Sequence, residues 1–178
     1  VKSHPKFSPD GQSIAYSAEY NGTRQVWLTS VAGGTPKQLT WYNDVGPMPI
    51  RGGWDNRVLD WSLDGKQILV RMNRLGMDER NGKYFLVPAA GGMEKPLAIP
   101  EGAGGMFSPD GNSMVYTPID ADWRGWKRYR GGRAQDIWTY DLKRNTSVRL
   151  TDSRAQDQQP VWVGSDVYFV SDRDYTLN

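Results

Sequence analysis

The sequence predicts an all-β protein: a β-propeller segment of three complete four-stranded blades and half of a fourth. Three observations carry this reading. Phe7-Ser8-Pro9-Asp10-Gly11 returns as Trp61-Ser62-Leu63-Asp64-Gly65 and again as Phe107-Ser108-Pro109-Asp110-Gly111. Short apolar runs follow each copy in the same order, and an Ala-Gly-Gly turn recurs at Ala32-Gly33-Gly34 and Ala90-Gly91-Gly92. The spacing from Asp10 to Asp64 to Asp110 is 54 and then 46 residues. Repeats of about 40 to 50 residues with four strands each mark a propeller.

The first blade is expected over 4–40. Asp10-Gly11 is a tight-turn signal, because Gly takes φ > 0 without steric cost and Asp bonds its own nearby backbone. Ser13 to Ala18 alternates like a strand, Gln25 to Ser30 is the third strand, and Pro36 to Thr40 is a short fourth. The second blade, 58–97, leads in with Val58 to Trp61 and continues through Gln67–Met72, Tyr84–Val87 and Glu94–Leu97. The third, 104–151, runs through Ser113–Thr117, Asp136–Asp141 and Ser147–Thr151. The fourth, 159–178, is cut off after Pro160–Gly164 and Asp166–Ser171. No stretch carries a 3.6-residue apolar period. Three and a half blades do not close a ring. An open end leaves an apolar blade face and a strand edge in water. The sequence is therefore expected to be a piece of a longer chain, with association of copies as the alternative.

Composition narrows the function. Thirty-eight per cent hydrophobic and 24% charged residues in 178 fit a globular domain with a real core. Eight Trp are many, and wide rings fill gaps between packed sheets. A net charge of +2 gives no global basic field, so nucleic acid is not expected as a partner. The longest apolar runs, such as Ile68-Leu69-Val70, are too short to cross a membrane. Without Cys there is no disulfide, thiolate nucleophile or Cys zinc site.

The repeats, with a Val-Trp-type third strand and a closing Leu-Thr, resemble those of TolB-like and tricorn-like propellers. Trp126-Lys127-Arg128-Tyr129-Arg130-Gly131-Gly132, shortly before Asp136-Ile137-Trp138, is similar to an insertion in the first propeller of tricorn proteases. Leu150-Thr151-Asp152 and Val167 to Asp174 fit as well, so the resemblance covers essentially the whole chain. It implies blades two to four and part of five of a six-bladed propeller. It further implies a longer chain with a second propeller, a PDZ-like domain and a serine peptidase core. Such chains assemble into a hexameric, self-compartmentalising enzyme that degrades oligopeptides. The cytoplasm is the compartment this implies; a TolB-like protein would be periplasmic.

Propeller topology places the second-to-third loops on the same face as the inter-blade connections, opposite the Asp-Gly turns. The longest loops, Trp41 to Arg57 and Ile119 to Gln135, are expected on that face, where binding usually resides. The second holds five cations in ten residues, Arg124, Lys127, Arg128, Arg130 and Arg133, interleaved with Trp123, Trp126 and Tyr129. Arg forks suit carboxylates and the rings offer flat surfaces to peptide. The competing reading is structural: Trp126 and Tyr129 pin the loop, and the cations are solvated or paired with Asp120, Asp122 and Asp136. The resembled family anchors a substrate's free C-terminus with two adjacent arginines in an inter-blade loop. The matching region, Arg51-Gly52-Gly53-Trp54-Asp55-Asn56-Arg57, has no Arg-Arg pair, so Arg51 and Arg57 are the candidates.

No catalytic residue is expected in this chain. The only His is His4, beside Pro5 at the start of a strand, and no Gly-x-Ser-x-Gly elbow occurs. Gly102-Ala103-Gly104-Gly105 feeds a strand and lacks the Lys of a phosphate loop. Asp172 and Asp174 suggest half a calcium loop or, more simply, carboxylates that bond the adjacent turn. No cofactor or metal is expected. The expected function is a non-catalytic propeller segment that guides or gates oligopeptides for a tricorn-like peptidase and supports its assembly. The rival is a TolB-like scaffold that presents one face to a protein partner.

Overall fold

The computed structural model describes residues 2–20, 22–42, 56–73, 82–119, 131 and 134–174. The regular elements among them are all strands. The chain divides into two compact units, Val1–Leu97 and Ala98–Asn178.

In the first unit, β1 (Lys2–Phe7), β2 (Ser13–Glu19), β3 (Arg24–Ser30) and β4 (Lys37–Gln38) form one antiparallel sheet in that order. A second sheet repeats the meander with β5 (Arg57–Trp61), β6 (Gln67–Met72), β7 (Lys83–Pro88) and β8 (Lys95–Pro96). Ala15, Val26 and Leu39 of the first sheet and Val58, Ile68, Val70 and Val87 of the second belong to one core cluster. Each fully buried aliphatic chain of this size contributes about 1.5–3 kcal/mol. The indole Nε1 of Trp61 donates to Lys6 O at 3.0 Å and ties the first strands of the two sheets. β6 is buried on both faces, which explains an unbroken Ile-Leu-Val run where alternation would mark a half-exposed strand.

In the second unit, β9 (Gly105–Phe107), β10 (Ser113–Tyr116), β11 (Trp138–Asp141) and β12 (Thr146–Arg149) form a third meander. β13 (Asp157–Val163) and β14 (Asp166–Ser171) form a two-stranded sheet. Gly105 has no room for a side chain: a Cβ there would lie 2.9 Å from Val115 O.

The repeated pentapeptide makes the same hydrogen-bonded turn each time. In the first copy Ser8 Oγ donates to Asp10 Oδ1 at 2.5 Å, and Ser13 N donates to Ser8 Oγ at 2.9 Å. Gly11 N closes the turn on Ser8 O, and Gly11 sits at φ 69°. Ser62–Asp64–Gly65 and Ser108–Asp110–Gly111 reproduce each bond, with glycine φ of 67° and 71°. The fourth hairpin is shorter: Val163 pairs with Asp166 around Gly164-Ser165, with Gly164 at φ 60°.

The fourth strands are shorter than the sequence suggests. β4 covers only Lys37–Gln38 and β8 only Lys95–Pro96. Past β4 a side chain takes over: Leu39 N still donates to Val26 O, but Val26 N donates to Thr40 Oγ1 at 2.9 Å. Ile137 N does the same to Thr151 Oγ1 at 3.0 Å. This is the structural content of the recurring Leu-Thr.

Candidate functional site

At the end of each sheet opposite the Asp-Gly turn, buried polar side chains hold the stems of the long loops. In the first unit the holder is Gln25, at the start of β3. Its Nε2 donates to Tyr42 O at 2.6 Å, and its Oε1 accepts from Thr40 Oγ1 at 2.7 Å. Asn56 grips the other stem: its Nδ2 donates to Arg24 O at 2.5 Å, and its own O accepts from Ser17 Oγ at 2.5 Å. Asn56 adopts φ 55°, a left-handed conformation that Asn tolerates better than most residues. Both ends of the Trp41–Arg57 connection are therefore fixed by groups that cannot be lost cheaply once buried.

The second unit uses different residues for the same task. Gln135 Nε2 donates to Ile119 O at 2.9 Å and so joins the two stems of the Ile119–Gln135 loop. Gln156 Oε1 accepts from Gln135 N, and Asp157 N donates to Gln135 O. Asp157 has a side chain with no exposure and lies 2.9 Å from the Arg173 guanidinium. Burial pushes its carboxyl up. The Arg173 guanidinium, with the Ser171 and Thr151 hydroxyls, outweighs that and holds it below the usual carboxylate range. Two buried amide oxygens beside this network, Gln135 Oε1 and Gln158 Oε1, have no hydrogen-bond donor among the described residues.

Arg57 opens β5 and stands directly across from Arg71 of β6. Arg57 is half-buried and Arg71 is 2% exposed; both are engaged by neighbours. Gly82 makes room for Arg71, since a Cβ there would lie 2.8 Å from Arg71 Cγ. A guanidinium sunk in this way is held in one orientation, a prerequisite for bidentate recognition of a carboxylate.

Of the sequence-predicted site residues, Arg57 is thus placed on a rigid strand end. Arg51, Trp126, Lys127, Arg128 and Arg130 lie outside the described residues. Asp136, a suggested partner for the loop cations, is bound by Arg149 of β12 at 2.9 Å. Asp172 Oδ1 accepts Gln156 N at 2.7 Å, a bond to the residue before β13 and not to its own adjacent turn as the simpler reading expects. Among the described residues no three His, Cys, Asp or Glu side chains are grouped to hold a metal ion. Sequence reasoning missed Arg71, Gln25, Asn56 and Gln135. Arg71 left a signal, a charge inside the apolar run Ile-Leu-Val-Arg-Met. The amides left none, because a polar residue beside a loop is ordinary.

At the turn end of the second unit, a shallow depression of about 420 Å³ lies among Ser108, Pro109, Asp110 and Ser113 on one side and Trp162 and Gly164 on the other. The short fourth hairpin borders this space. Asp110 at its rim is held at about 2 by the Ser108 hydroxyl first, then by the side chain and backbone N–H of Asn112.

Comparison with known proteins follows the same lines. A crystal structure of the tricorn protease matches 98% of this chain over 17% of its own length, with a TM-score of 0.73 at 23% identity. Tricorn protease homolog 1 of Streptomyces coelicolor is 31% identical over 177 residues, 97% of this chain. The chain spans 15% of that relative's length. The Tol-Pal system protein TolB of Anaeromyxobacter dehalogenans is 31% identical over 103 residues, 57% of this chain and 20% of TolB. The family model that matches is the tricorn protease N-terminal β-propeller domain, over residues 1–178.

Proposed function

Since the chain belongs to the tricorn protease N-terminal β-propeller family, we propose that it guides or gates oligopeptides for a peptidase whose catalytic residues lie elsewhere. The observation that carries this reading is the family match, which leaves no part of the chain outside it. The geometry supports it. The stems of both long loops are fixed by buried hydrogen bonds of Gln25, Asn56 and Gln135. Arg57, with Arg51 on the same connection, supplies cations for a peptide's C-terminal carboxylate. Trp126, Lys127, Arg128 and Arg130 of the long third-blade loop are the aromatic and basic contacts. The reading implies a longer chain with peptidase domains, a homo-oligomer, and the cytoplasm.

The experiment compares a peptide bearing a free C-terminus with its amide on the full-length chain. The acid is expected to bind about tenfold tighter, the size of one charge-assisted hydrogen bond. Arg51→Ala and Arg57→Ala should each bring the acid down to the level of the amide. Equal binding of the two peptides overturns the role. The likeness to TolB favours a second reading, a scaffold docking a protein partner. Under that reading a folded partner binds and neither peptide does.

A further inference from the structure

The outer edges of the three complete sheets are not alike. In the first sheet Leu39 N donates to Val26 O and Lys37 pairs with Leu28. Alternation then turns the main chain of residues 36 and 38 outward, and residue 36 is proline. In the second sheet Leu97 N donates to Tyr84 O and Lys95 pairs with Leu86, so residue 96 faces outward, and it too is proline. A proline at an outward position removes the donor through which an edge would recruit another strand.

The third sheet keeps both donors. Leu150 N donates to Ile137 O, so Val148 and Thr146 face the ladder, and Ser147 and Arg149 turn their N–H and C=O outward. Counted back from Leu39, Leu97 and Leu150, Ser147 holds the place of Pro36, and Arg149 the place of Pro96. β12 is also four residues long, twice the length of β4 or β8, and every residue in it is exposed. Val148 and Leu150 show 59% and 48% of their surface on the same side of the strand. The Arg149 charge does not repel an incoming strand, because Asp136 and Asp152 hold it at 2.9 and 3.3 Å.

We propose that β12 is a docking edge for a second copy of this chain, the two strands pairing antiparallel about a twofold axis at Val148. In that register the Ser147 main chain of one copy exchanges two hydrogen bonds with Arg149 of the other, and the symmetric pair makes two more. Val148 meets Val148, and Leu150 meets Thr146, so the exposed apolar strip is covered by itself. The antiparallel arrangement also brings the β11–β12 turn, with Arg144 81% exposed, to the end of the other copy's strand where Asp152 is 91% exposed, so opposite charges meet at both ends. That self-complementarity selects a second copy over an unrelated strand.

The 178 residues contain no Cys, which makes a cross-link the direct test. Val148→Cys in the full-length chain, with any cysteine outside these 178 residues replaced by Ser, should on oxidation join two chains through position 148, since residues facing each other in a non-hydrogen-bonded pair have Cα atoms about 4.5 Å apart. Met93→Cys, on an 84% exposed residue of another turn, measures random collision. Adding Ser147→Pro should lower the cross-link about tenfold by removing two of the four bonds. The melting temperature should fall only slightly, through loss of the 2.9 Å bond from Tyr116 OH to Ser147 Oγ, as Pro36 already occupies that place in the first sheet. If Ser147→Pro fails to fold, Leu150→Lys tests the same edge through charge. Cross-linking no greater at 148 than at 93, or unchanged by Ser147→Pro, overturns the proposal. So does protection of the Ser147 and Arg149 amides from hydrogen exchange without a cross-link, which would mean that another strand occupies the edge.

Discussion

The two ends of each sheet are built on different principles. At the turn end, three sheets carry one arrangement: a Ser hydroxyl on an Asp carboxylate, the following strand's N–H on the Ser oxygen, a Gly with positive φ. At the loop end no two sheets agree. Gln25 and Asn56 hold the first connection, Gln135 and Gln156 the long loop of the third sheet, and Asp157 with Arg173 the fourth sheet. The turn is local, solvent-exposed and interchangeable. The loop end is buried, long-range and specific. Substitutions should therefore cost much more at the loop end, and that difference can be measured.

The largest effect is expected at Asp157. Asp157→Ala leaves the Arg173 guanidinium without its buried partner and frees the Ser171 hydroxyl. Removing one member of a buried pair costs about 3–5 kcal/mol; with Arg173 half-exposed, about 3 kcal/mol is the expected loss in a urea melt. A loss below about 1 kcal/mol, the level of an exposed ion pair, would erase the distinction between the two ends. Gln25→Ala comes next. It deprives Tyr42 O and Thr40 Oγ1 of their bonds at once, for about 2 kcal/mol. It should also raise protease sensitivity at the Trp41–Arg57 connection, which a turn-end variant of equal cost would not.

The same contrast explains what could be read from the sequence. The turns were legible because their bonds join residues two to five positions apart, so the motif is the structure. The four sheets followed from the repeat. The fourth strands were overestimated, because Thr40 and Thr151 continue the ladder through a hydroxyl where the main chain has left it. The site was legible only in part. Arg57 was found from its place in the loop, but its neighbour Arg71 is reached only through strand register, 14 residues on. Lys2 over the Tyr20 ring, at 5.5 Å, fills in the first sheet the ladder place that Asp157 and Arg173 fill in the fourth. No pairwise identity announces that equivalence, since a cation on a ring has replaced an ion pair.

At the turn end the effects shrink. Gly111→Ala places a Cβ at φ 71° and should cost about 1 kcal/mol. Acid reads the same turn. The Asp110 carboxyl is held at about 2 in the folded chain, below its unfolded value, so its ionised form stabilises the fold above that unfolded value. That contribution fades as pH falls from about 4 through about 2. The melting temperatures of the parent and Asp110→Asn should therefore converge between pH 5 and pH 2, and a gap that stays constant would contradict the assignment.

The smallest effect tests the interchangeability of the turns most directly, and it should be favourable. The second copy has Leu63 where the first and third have Pro9 and Pro109. Gly65 N donates to Ser62 O as Gly11 N does to Ser8 O, so Leu63 occupies a position already shaped for proline. Its side chain is exposed, and replacing it forfeits little packing. Leu63→Pro lowers the entropy of the unfolded chain and should stabilise the fold by about 0.5–1 kcal/mol. Chemical denaturation of the parent and the variant decides it. A loss of stability would mean that the second turn differs from its sisters in a way the shared bonds conceal. The division between interchangeable turns and specific loop ends would then fail at the end where it is expected to be safest.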